Sequence, residues 1–306
     1  MTGILIVDKP EGPTSFDIVR SVRRWCRTRR VGHAGTLDPF ATGVLPVALG
    51  QATRLVEYLM EGDKEYLATL RLGAATDTQD LHGSVIASGD WSQIGPERFG
   101  EVCREYLGTI AQIPPMYSAI KLDGQPLYRL ARQGVEVERQ PRQVRIDAIE
   151  LLTFEPPDVR IRVACGKGTY IRTLCHDIGH QLGCGAHLIQ LRRTRSGGFS
   201  EADAVTVAEL ERRTAAGEQL PLLTPARALA GWPGIEVEGT VLKRLRDGVA
   251  PCCRDLAGGC NLDPGRLVKF AAGSVLVAVA RFAPGKGNRG VGDFQILKVF
   301  PEETFR

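Results

Sequence analysis

Apolar and polar residues alternate along Lys64–Leu72 (KEYLATLRL), with Tyr66 and Ala68 on the same side. A period of two is typical of a strand with one buried face, so this segment predicts a half-buried β-strand. The apolar runs Ile4–Val7 and VLPVAL, which starts at Val44, predict shorter buried strands. Further strands are predicted at Val144–Leu152, Val159–Cys165, Arg266–Ala271, Ser274–Arg281 and Asp293–Phe300.

Other segments have the spacing of helices. Thr14 and Ser15 suit a helix N-cap, and the apolar residues that follow recur at Ile18, Val22 and Trp25 on one face. Further helices are predicted at Gln51–Met60, Pro96–Leu107, Gln125–Gln133, 206–213 and Val241–Arg246, with another beginning near Thr169.

The length of 306 residues leaves room for about two domains. A Pro-containing linker extends to about residue 233. After it come short strands separated by glycine turns, a pattern that predicts a small β-barrel. The sequence therefore predicts an α+β domain at 1–232 and a β-rich domain at 233–306.

Composition narrows the class of protein. Apolar residues make up 43% of the chain, yet no apolar run approaches the ~18 residues of a membrane span. MTGILIVDKP has no basic region before its apolar run, so we expect a cytoplasmic protein whose eight cysteines are mostly reduced. The net charge of +4 is small, so any nucleic-acid contact would depend on local basic clusters.

The segment Gly32–Leu49 contains a carboxylate in an unusual setting. Pro39 forces Asp38 towards an extended backbone, and a buried strand begins at Val44. Asp38 is thus expected on a loop next to the end of a strand, a position where reactive groups of enzymes are often found. Asp-Pro alone more often only opens a turn.

The longer string GHAGTLDPFATGVLPVALGQATR (32–54) resembles the catalytic motif of the TruB family of pseudouridine synthases. Similar matches are KEYLATLRLGAATDTQDLHG (64–83), GTYIR (168–172) and GAHLIQLRRTRSGGF (185–199), so the resemblance extends over nearly all of residues 1–230. It implies a pseudouridine synthase fold, with a mixed, largely antiparallel central sheet flanked by helices and loops. It also implies that the β-rich end is a PUA-like RNA-binding barrel.

The resemblance implies an activity and roles for individual residues. The family isomerises uridine to pseudouridine at position 55 in the T loop of tRNA, on a nucleotide extruded from its stack. Asp38 would be the nucleophile or base, Arg172 would pair with it, and Tyr66 would stack on the base. Substrate-binding roles fall to four residues, of which the last would act by supporting the catalytic loop: His33, Tyr170, Leu191 and Lys9.

The implied partner is the T-arm stem-loop of tRNA. Residues 115–142 would be an insertion that grips the T arm and is mobile without RNA. Basic residues and tyrosines are interleaved in this segment, which suits contacts with phosphates and bases. No cofactor, membrane or obligatory protein partner is expected, and the chain should be a monomer. Asp77 and Asp80 are expected to shape their loop rather than catalyse.

Arginines cluster in two places. Six lie within residues 20–30, just before the Asp38 loop. They fit either a solvated helix face or a phosphate-contacting surface. Arg192, Arg193 and Arg195 form a second basic cluster.

Two other interpretations remain open. Cys175, His176, His180 and Cys184 suggest a metal site, but their spacing lacks the turn-borne ligand pairs of structural zinc sites, so no metal is expected. Cys252, Cys253 and Cys260 fit a metal site even less well. As to function, the alternatives are a guide-dependent rRNA pseudouridylase and an RNA-binding or tRNA-folding protein with secondary catalysis.

Overall fold

The structure is a computed structural model that describes residues 1–122, 124–286 and 292–301. The strands, in chain order, are β1 (Gly3–Lys9), β2 (Val31–His33), β3 (Thr42–Leu49), β4 (Lys64–Leu72), β5 (Ala74–Thr76), β6 (Val85–Ser88), β7 (Gly108–Gln112), β8 (Lys121–Leu122), β9 (Gln125–Pro126), β10 (Arg142–Glu155), β11 (Asp158–Cys165), β12 (Ala186–Ser196), β13 (Phe199–Ser200), β14 (Val205–Thr206), β15 (Gly234–Glu236), β16 (Leu267–Ala272), β17 (Val275–Phe282) and β18 (Phe294–Val299).

The helices are α1 (Ser15–Trp25), α2 (Val56–Met60), α3 (Pro96–Glu105), α4 (Leu127–Arg132), α5 (Ile171–Gln181), α6 (Val207–Ala215), α7 (Pro225–Ala228) and α8 (Gly239–Arg246). Short 3-10 helices occupy Gly50–Leu55, Glu201–Asp203 and Cys253–Asp255. In the described ranges, no helix combines the length and apolar character needed to cross a membrane.

The chain divides into two compact units. One comprises residues 1–38, 45–60 and 198–306, and the other comprises 39–44 and 61–197.

The first unit contains two sheets. In one, β1 pairs in parallel with β14, and β2 pairs antiparallel with the second half of β3. The other has the order β15-β16-β17-β18, with β15 parallel to β16 and the remaining pairs antiparallel. Its own apolar core includes Leu245, Phe270 and Phe294. The predicted β-rich end of the chain is therefore confirmed, while barrel closure stays a prediction.

The second unit is built on a mixed, mainly antiparallel sheet, as predicted. Its strand order is β3-β12-β4-β11-β10-β7, where the start of β3 runs parallel to β12 and the other pairs are antiparallel. Strand β4 has the predicted bounds and the predicted alternation of buried and half-exposed residues. Helix α5 packs against β12 of this sheet, and helix α3 packs against β10.

Two elements differ from their predictions. The expected helix Gln51–Met60 is a 3-10 helix followed by the short α2. The Thr53 hydroxyl donates to the Gly50 carbonyl (2.8 Å), a local bond that competes with the helical pattern. The helix expected at Gln125–Gln133 begins only at Leu127, because Pro126 is its N-cap and ends β9.

Candidate active site

The residue that precedes Asp38 is fixed to the first residue of helix α1. The buried Ser15 hydroxyl accepts a hydrogen bond from Leu37 N (2.8 Å) and donates to Leu37 O (3.0 Å). Each such bond contributes about 1 kcal/mol, and the pair leaves the Leu37 peptide groups little freedom. Asp38 follows directly. It lies outside helix and strand, as the sequence predicts, and it is half-buried.

The start of helix α1 is itself well capped. Thr14 and Asp17 form a capping box, in which Asp17 N donates to Thr14 Oγ1 (3.1 Å) and Thr14 N donates to Asp17 Oδ2 (3.0 Å). The hydrogen bonds from Thr14 hold the pKa of Asp17 below its ordinary value. This capping box stabilises the turn from which Ser15 reaches the Asp38 loop.

Two of the predicted base-pocket residues share a sheet face. Tyr66 on β4 and Leu191 on β12 are both 8% exposed. In the antiparallel register Leu191 lies opposite Ala68, and Tyr66 lies opposite Arg193. Because paired residues point to the same face, the structure brings Tyr66 and Leu191 together around Ala68.

Arg172 is a buried arginine in the first turn of α5. Its Nη1 donates to Thr78 O (3.2 Å) and pairs with Asp80 Oδ2 (3.3 Å), and its Nη2 donates to Tyr117 O (2.8 Å). The side chains of Arg172 and Asp80 are only 4% and 9% exposed. The Arg172–Asp38 pair that the resemblance implies stays a prediction.

Asp80 has a larger role than its sequence context suggested. Its Oδ1 accepts from Thr78 Oγ1 (2.7 Å) and His82 N (3.0 Å), so it does shape its loop as predicted. Its other oxygen is the buried partner of Arg172. The sequence offered no local signal for this pair, because the two residues are 92 positions apart.

The Gln112 side chain binds both backbone groups of Tyr170 at the N-terminus of α5. The buried Gln112 accepts from Tyr170 N (2.8 Å) through Oε1 and donates to Tyr170 O (3.1 Å) through Nε2. Tyr170 is the N-cap residue and lacks a capping side chain. Gln112 therefore adds two hydrogen bonds to the backbone at this helix end, and it fixes the backbone from which the Tyr170 ring projects.

Lys9 and His33 both lie at strand ends in the first unit. Lys9, at the end of β1, is fully buried, and its Nζ donates to Pro10 O (2.9 Å). This position suits the predicted supporting role. His33 ends strand β2, opposite Val47 of β3, and is half-buried.

The arginine cluster on β12 requires a correction. Arg193 is 1% exposed and therefore cannot be part of a solvent-facing basic surface. Its Nε donates to Val44 O (2.8 Å), and its backbone lies opposite Gly43. A Cβ at Gly43 would lie 2.2 Å from Arg193 O, so only glycine allows this approach.

Lys64 lies close to this buried cation. It is 6% exposed on β4, two residues before Tyr66. Burial, reinforced by the charge of Arg193, lowers the pKa of Lys64 to about 8. The buried cations Lys64 and Arg193 are thus both near Tyr66, a feature that strand periodicity alone did not reveal.

The cysteines and histidines do not form a metal cluster in the described ranges. Cys175 is buried on α5, whereas His180 is exposed. Cys253 and Cys260 form a disulfide, and the six other cysteines are free. The disulfide was not foreseen, because a chain expected to be cytoplasmic predicts reduced thiols.

Two family models match this chain. Residues 23–171 match the N-terminal domain of the TruB family pseudouridylate synthases. Residues 172–226 match the C-terminal domain of tRNA pseudouridylate synthase B. Together these two matches include Asp38, Tyr66, Arg172 and Leu191.

Curated relatives are similar over almost the whole chain. A tRNA pseudouridine synthase B of Syntrophotalea carbinolica is 47% identical over 98% of this chain and 98% of its own length. Another, from Geotalea uraniireducens, is 46% identical over 97% of this chain and 95% of its own length.

Solved structures also resemble the whole chain. A chain of a Cbf5-Nop10-Gar1 complex has a TM-score of 0.76 at 29% identity, over 98% of this chain and 86% of that one. A chain of an H/ACA RNP bound to a substrate RNA containing 2′-deoxyuridine has a TM-score of 0.74 at 27% identity, over 99% of this chain and 87% of that one.

Proposed function

Because this chain belongs to the TruB family of pseudouridylate synthases, we propose that it isomerises uridine to pseudouridine at position 55 in the T loop of tRNA. The observation that carries the proposal is the loop that contains Asp38, anchored through the Ser15–Leu37 hydrogen bonds. The chain also contains the residues to which the family resemblance assigns roles beside Asp38, namely Tyr66, Arg172 and Leu191.

The reaction rearranges one nucleotide without a net change in composition. The C1′–N1 bond breaks, the uracil turns, and C5 bonds to C1′. The proton on C5 is lost and N1 gains a proton. The Asp38 carboxylate would act by attack on C1′, by proton removal from a ribosyl intermediate, or by addition to C6 of the ring.

The other residues would position the base and the acid. Tyr66 would stack on the uracil, with Leu191 beside it on the same sheet face. Arg172 would orient the Asp38 carboxylate and keep it ionised. Its buried contacts with Asp80 and the Thr78 and Tyr117 carbonyls support this role, since they fix the guanidinium.

The substrate is proposed to be bound through several parts of the chain. His33, Tyr170 and Lys9 would shape or support the nucleotide site, and residues 115–142 would grip the T arm. Residues 1–232 would form the catalytic domain. Residues 233–306, which have an apolar core of their own, would form a PUA-like RNA-binding domain. We further propose that the protein acts as a cytoplasmic monomer.

A substitution at Asp38 tests the proposal. With tRNA that carries tritium at C5 of uridine, the wild type should release tritium in a single turnover. Asp38→Asn should slow release by more than about 10³-fold while tRNA affinity and the unfolding midpoint stay unchanged. The exposed Asp90, whose side chain binds Ser92, offers a matched control as Asp90→Asn. Substantial turnover by Asp38→Asn would overturn the assignment.

The same assay separates the alternatives. The purified chain should act alone on a bare T-arm hairpin, whereas a guide-dependent enzyme would need added RNA and proteins. The curated relatives that match along the full chain are named tRNA pseudouridine synthase B, which favours the first outcome. A role in tRNA folding would survive Asp38→Asn and appear as RNA refolding without tritium release.

A further inference from the structure

Helix α1 carries a second surface that the proposed chemistry does not use. Its buried side consists of Ser15, Ile18, Val19 and Val22. On the opposite side Phe16, Arg20 and Arg24 follow one another at intervals of four residues and are all exposed. Residues at this spacing line up along one helix face, with a rise of about 6 Å between successive members. We call Phe16, Arg20, Arg24 and Arg27 the α1 face.

An aromatic ring organises the first half of the α1 face. Phe16 is 52% exposed, although burial would be favourable for a phenylalanine. The guanidinium carbons of Arg20 and Arg23 lie 5.5 Å and 5.6 Å from its ring centre. Each such contact is worth about 0.5–1 kcal/mol at an exposed site, so the ring holds two flexible cations in place. Arg23 also donates to Val31 O (3.2 Å).

Arg27 extends the α1 face at a conformational cost. It adopts a left-handed backbone with φ of 47°, where glycine is the usual residue. Thr28 N donates to Arg23 O (3.2 Å), which is the bond of a Schellman helix end. An arginine in this position strains the backbone, and such strain tends to persist where the side chain has a function.

The positive charge of the α1 face is largely uncompensated. Arg20 pairs with Asp17 at 3.1 Å. Among the described residues, the other exposed arginines of the segment form no ion pair with a carboxylate: Arg24, Arg27, Arg29 and Arg30. The helix dipole accounts for a cation in the last turn, but not for Arg20 or for the arginines beyond the helix.

Helix α6 shows the opposite arrangement. Arg212 contacts Glu209 at 2.7 Å and Glu218 at 2.8 Å, and Arg213 contacts Glu209 at 2.7 Å. These arginines are neutralised within the protein. The comparison makes a purely solubilising role a poor explanation for α1, because an arginine-rich helix of this chain can carry its own carboxylates.

We infer that the α1 face binds the phosphate backbone of the tRNA substrate, in addition to the contacts made around the reacting nucleotide. This inference rests on the proposed function for the identity of the RNA. Arginine is suited to the task because its planar guanidinium donates two parallel hydrogen bonds to a phosphate. An open concavity of about 410 Å³, lined by Asp17, Arg20, Ser21 and Arg24, gives a phosphate access to both exposed guanidinium groups.

The test compares two double variants of the full chain with equal changes in net charge. Arg20→Gln/Arg24→Gln removes two cations of the α1 face, and Arg212→Gln/Arg213→Gln removes two neutralised ones. The tRNA dissociation constant is measured from low to high salt. The first variant should lower the magnitude of the slope of log K against log salt by about 2. It should also raise Kd roughly tenfold or more at about 0.1 M salt. The single-turnover rate at saturating tRNA should not change.

The α6 variant should keep the wild-type slope. Equal affinities and slopes for the wild type and the α1 variant would overturn the inference, as would equal losses in both variants. Failure of the proposed function is separately visible, because the wild type would then bind tRNA without releasing tritium. Phe16→Leu keeps the apolar bulk but removes the ring, so a weaker affinity in this variant supports the ordering role.

Discussion

Arg172 and Asp80 form an ion pair of 3.3 Å that is almost completely buried, at the point where helix α5 meets the loop after β5. Removing one partner of a buried pair is costly, because the other charge stays out of water without compensation. The pair therefore connects the integrity of this loop with the orientation of the arginine proposed to act on Asp38.

Asp80→Asn should weaken both stability and activity. The amide keeps the shape of the side chain but loses its charge, so we expect the free energy of unfolding to fall by about 1–3 kcal/mol. The tritium-release rate should fall while tRNA affinity changes little. Urea unfolding and single-turnover kinetics measure the two effects. Asp77→Asn is the matched control, because Asp77 is exposed and its side chain accepts from Ser84 N (2.9 Å) in the same loop. Equal behaviour of the two variants would contradict the prediction.

Gly43→Ala should destabilise the protein more than its backbone angle alone explains. Gly43 and Gly12 have similar φ values, 101° and 105°, but only Gly43 faces Arg193, whereas a Cβ at Gly12 would meet nothing within 4 Å. Strained backbone costs about 1–3 kcal/mol at either site. The clash with Arg193 adds to that cost at Gly43. Denaturant midpoints of Gly43→Ala and Gly12→Ala provide the comparison, and equal midpoints would show that the close approach is unimportant.

The half-buried Asp177 on α5 should make stability depend on pH. Burial raises the pKa of Asp177 to about 6, although His180 opposes the shift. The unfolded carboxyl loses its proton near its ordinary value of 3.8, so between these limits the folded state binds more protons. The contribution of this group to stability should therefore fall as pH rises from about 4 to about 6 and then stay constant.

Asp177→Asn isolates this effect. The stability of the variant relative to the wild type should rise over the same pH range, as measured by urea unfolding at several pH values. Tyr106 lies near Asp177, and its pKa is raised to about 12 by burial and by carboxylates including Asp177, so it stays neutral throughout. His176 and His180 remain in both proteins. A pH-independent difference would show that Asp177 ionises normally.

Arg27→Gly should separate stability from RNA affinity. Glycine adopts the left-handed backbone of position 27 without strain, so the variant should be more stable by about 1 kcal/mol. The α1 face would lose one cation, so the salt slope for tRNA binding should shrink by about 1. Thermal unfolding and binding at several salt concentrations measure both. Gly134→Ala is the control. Gly134 has a φ of 73° and open surroundings, so an alanine there should lower stability through backbone strain without altering the charge.

Local patterns predicted the elements that dominate the second unit. The alternation along Lys64–Leu72 located β4, and the apolar stripe after Thr169 located α5, which begins at Ile171. Such patterns succeed because each depends on neighbours a few positions away. Periodicity does not distinguish one carboxylate in a turn from another. Only the family resemblance predicts a catalytic role for Asp38.

Long-range contacts were beyond local patterns. Arg193 was assigned to a basic surface because three arginines stand close together, but strand pairing turns this one into the protein. Asp80 was understood as a loop residue, and only the fold brings Arg172 to it. The Cys253–Cys260 disulfide closes a short loop that no spacing rule distinguished. For Arg193 and Asp80 the outcome depends on a partner far along the chain or on a register that the sequence does not display.

The double hydrogen bond between Ser15 and Leu37 connects the end of a helix to the loop of the proposed catalytic residue, Asp38. If the first turn of α1 frays, the peptide that carries Asp38 loses its anchor, even though every active-site side chain is intact. A substitution at Thr14, the exposed residue that caps this turn, could therefore alter turnover simply by changing how often that turn opens.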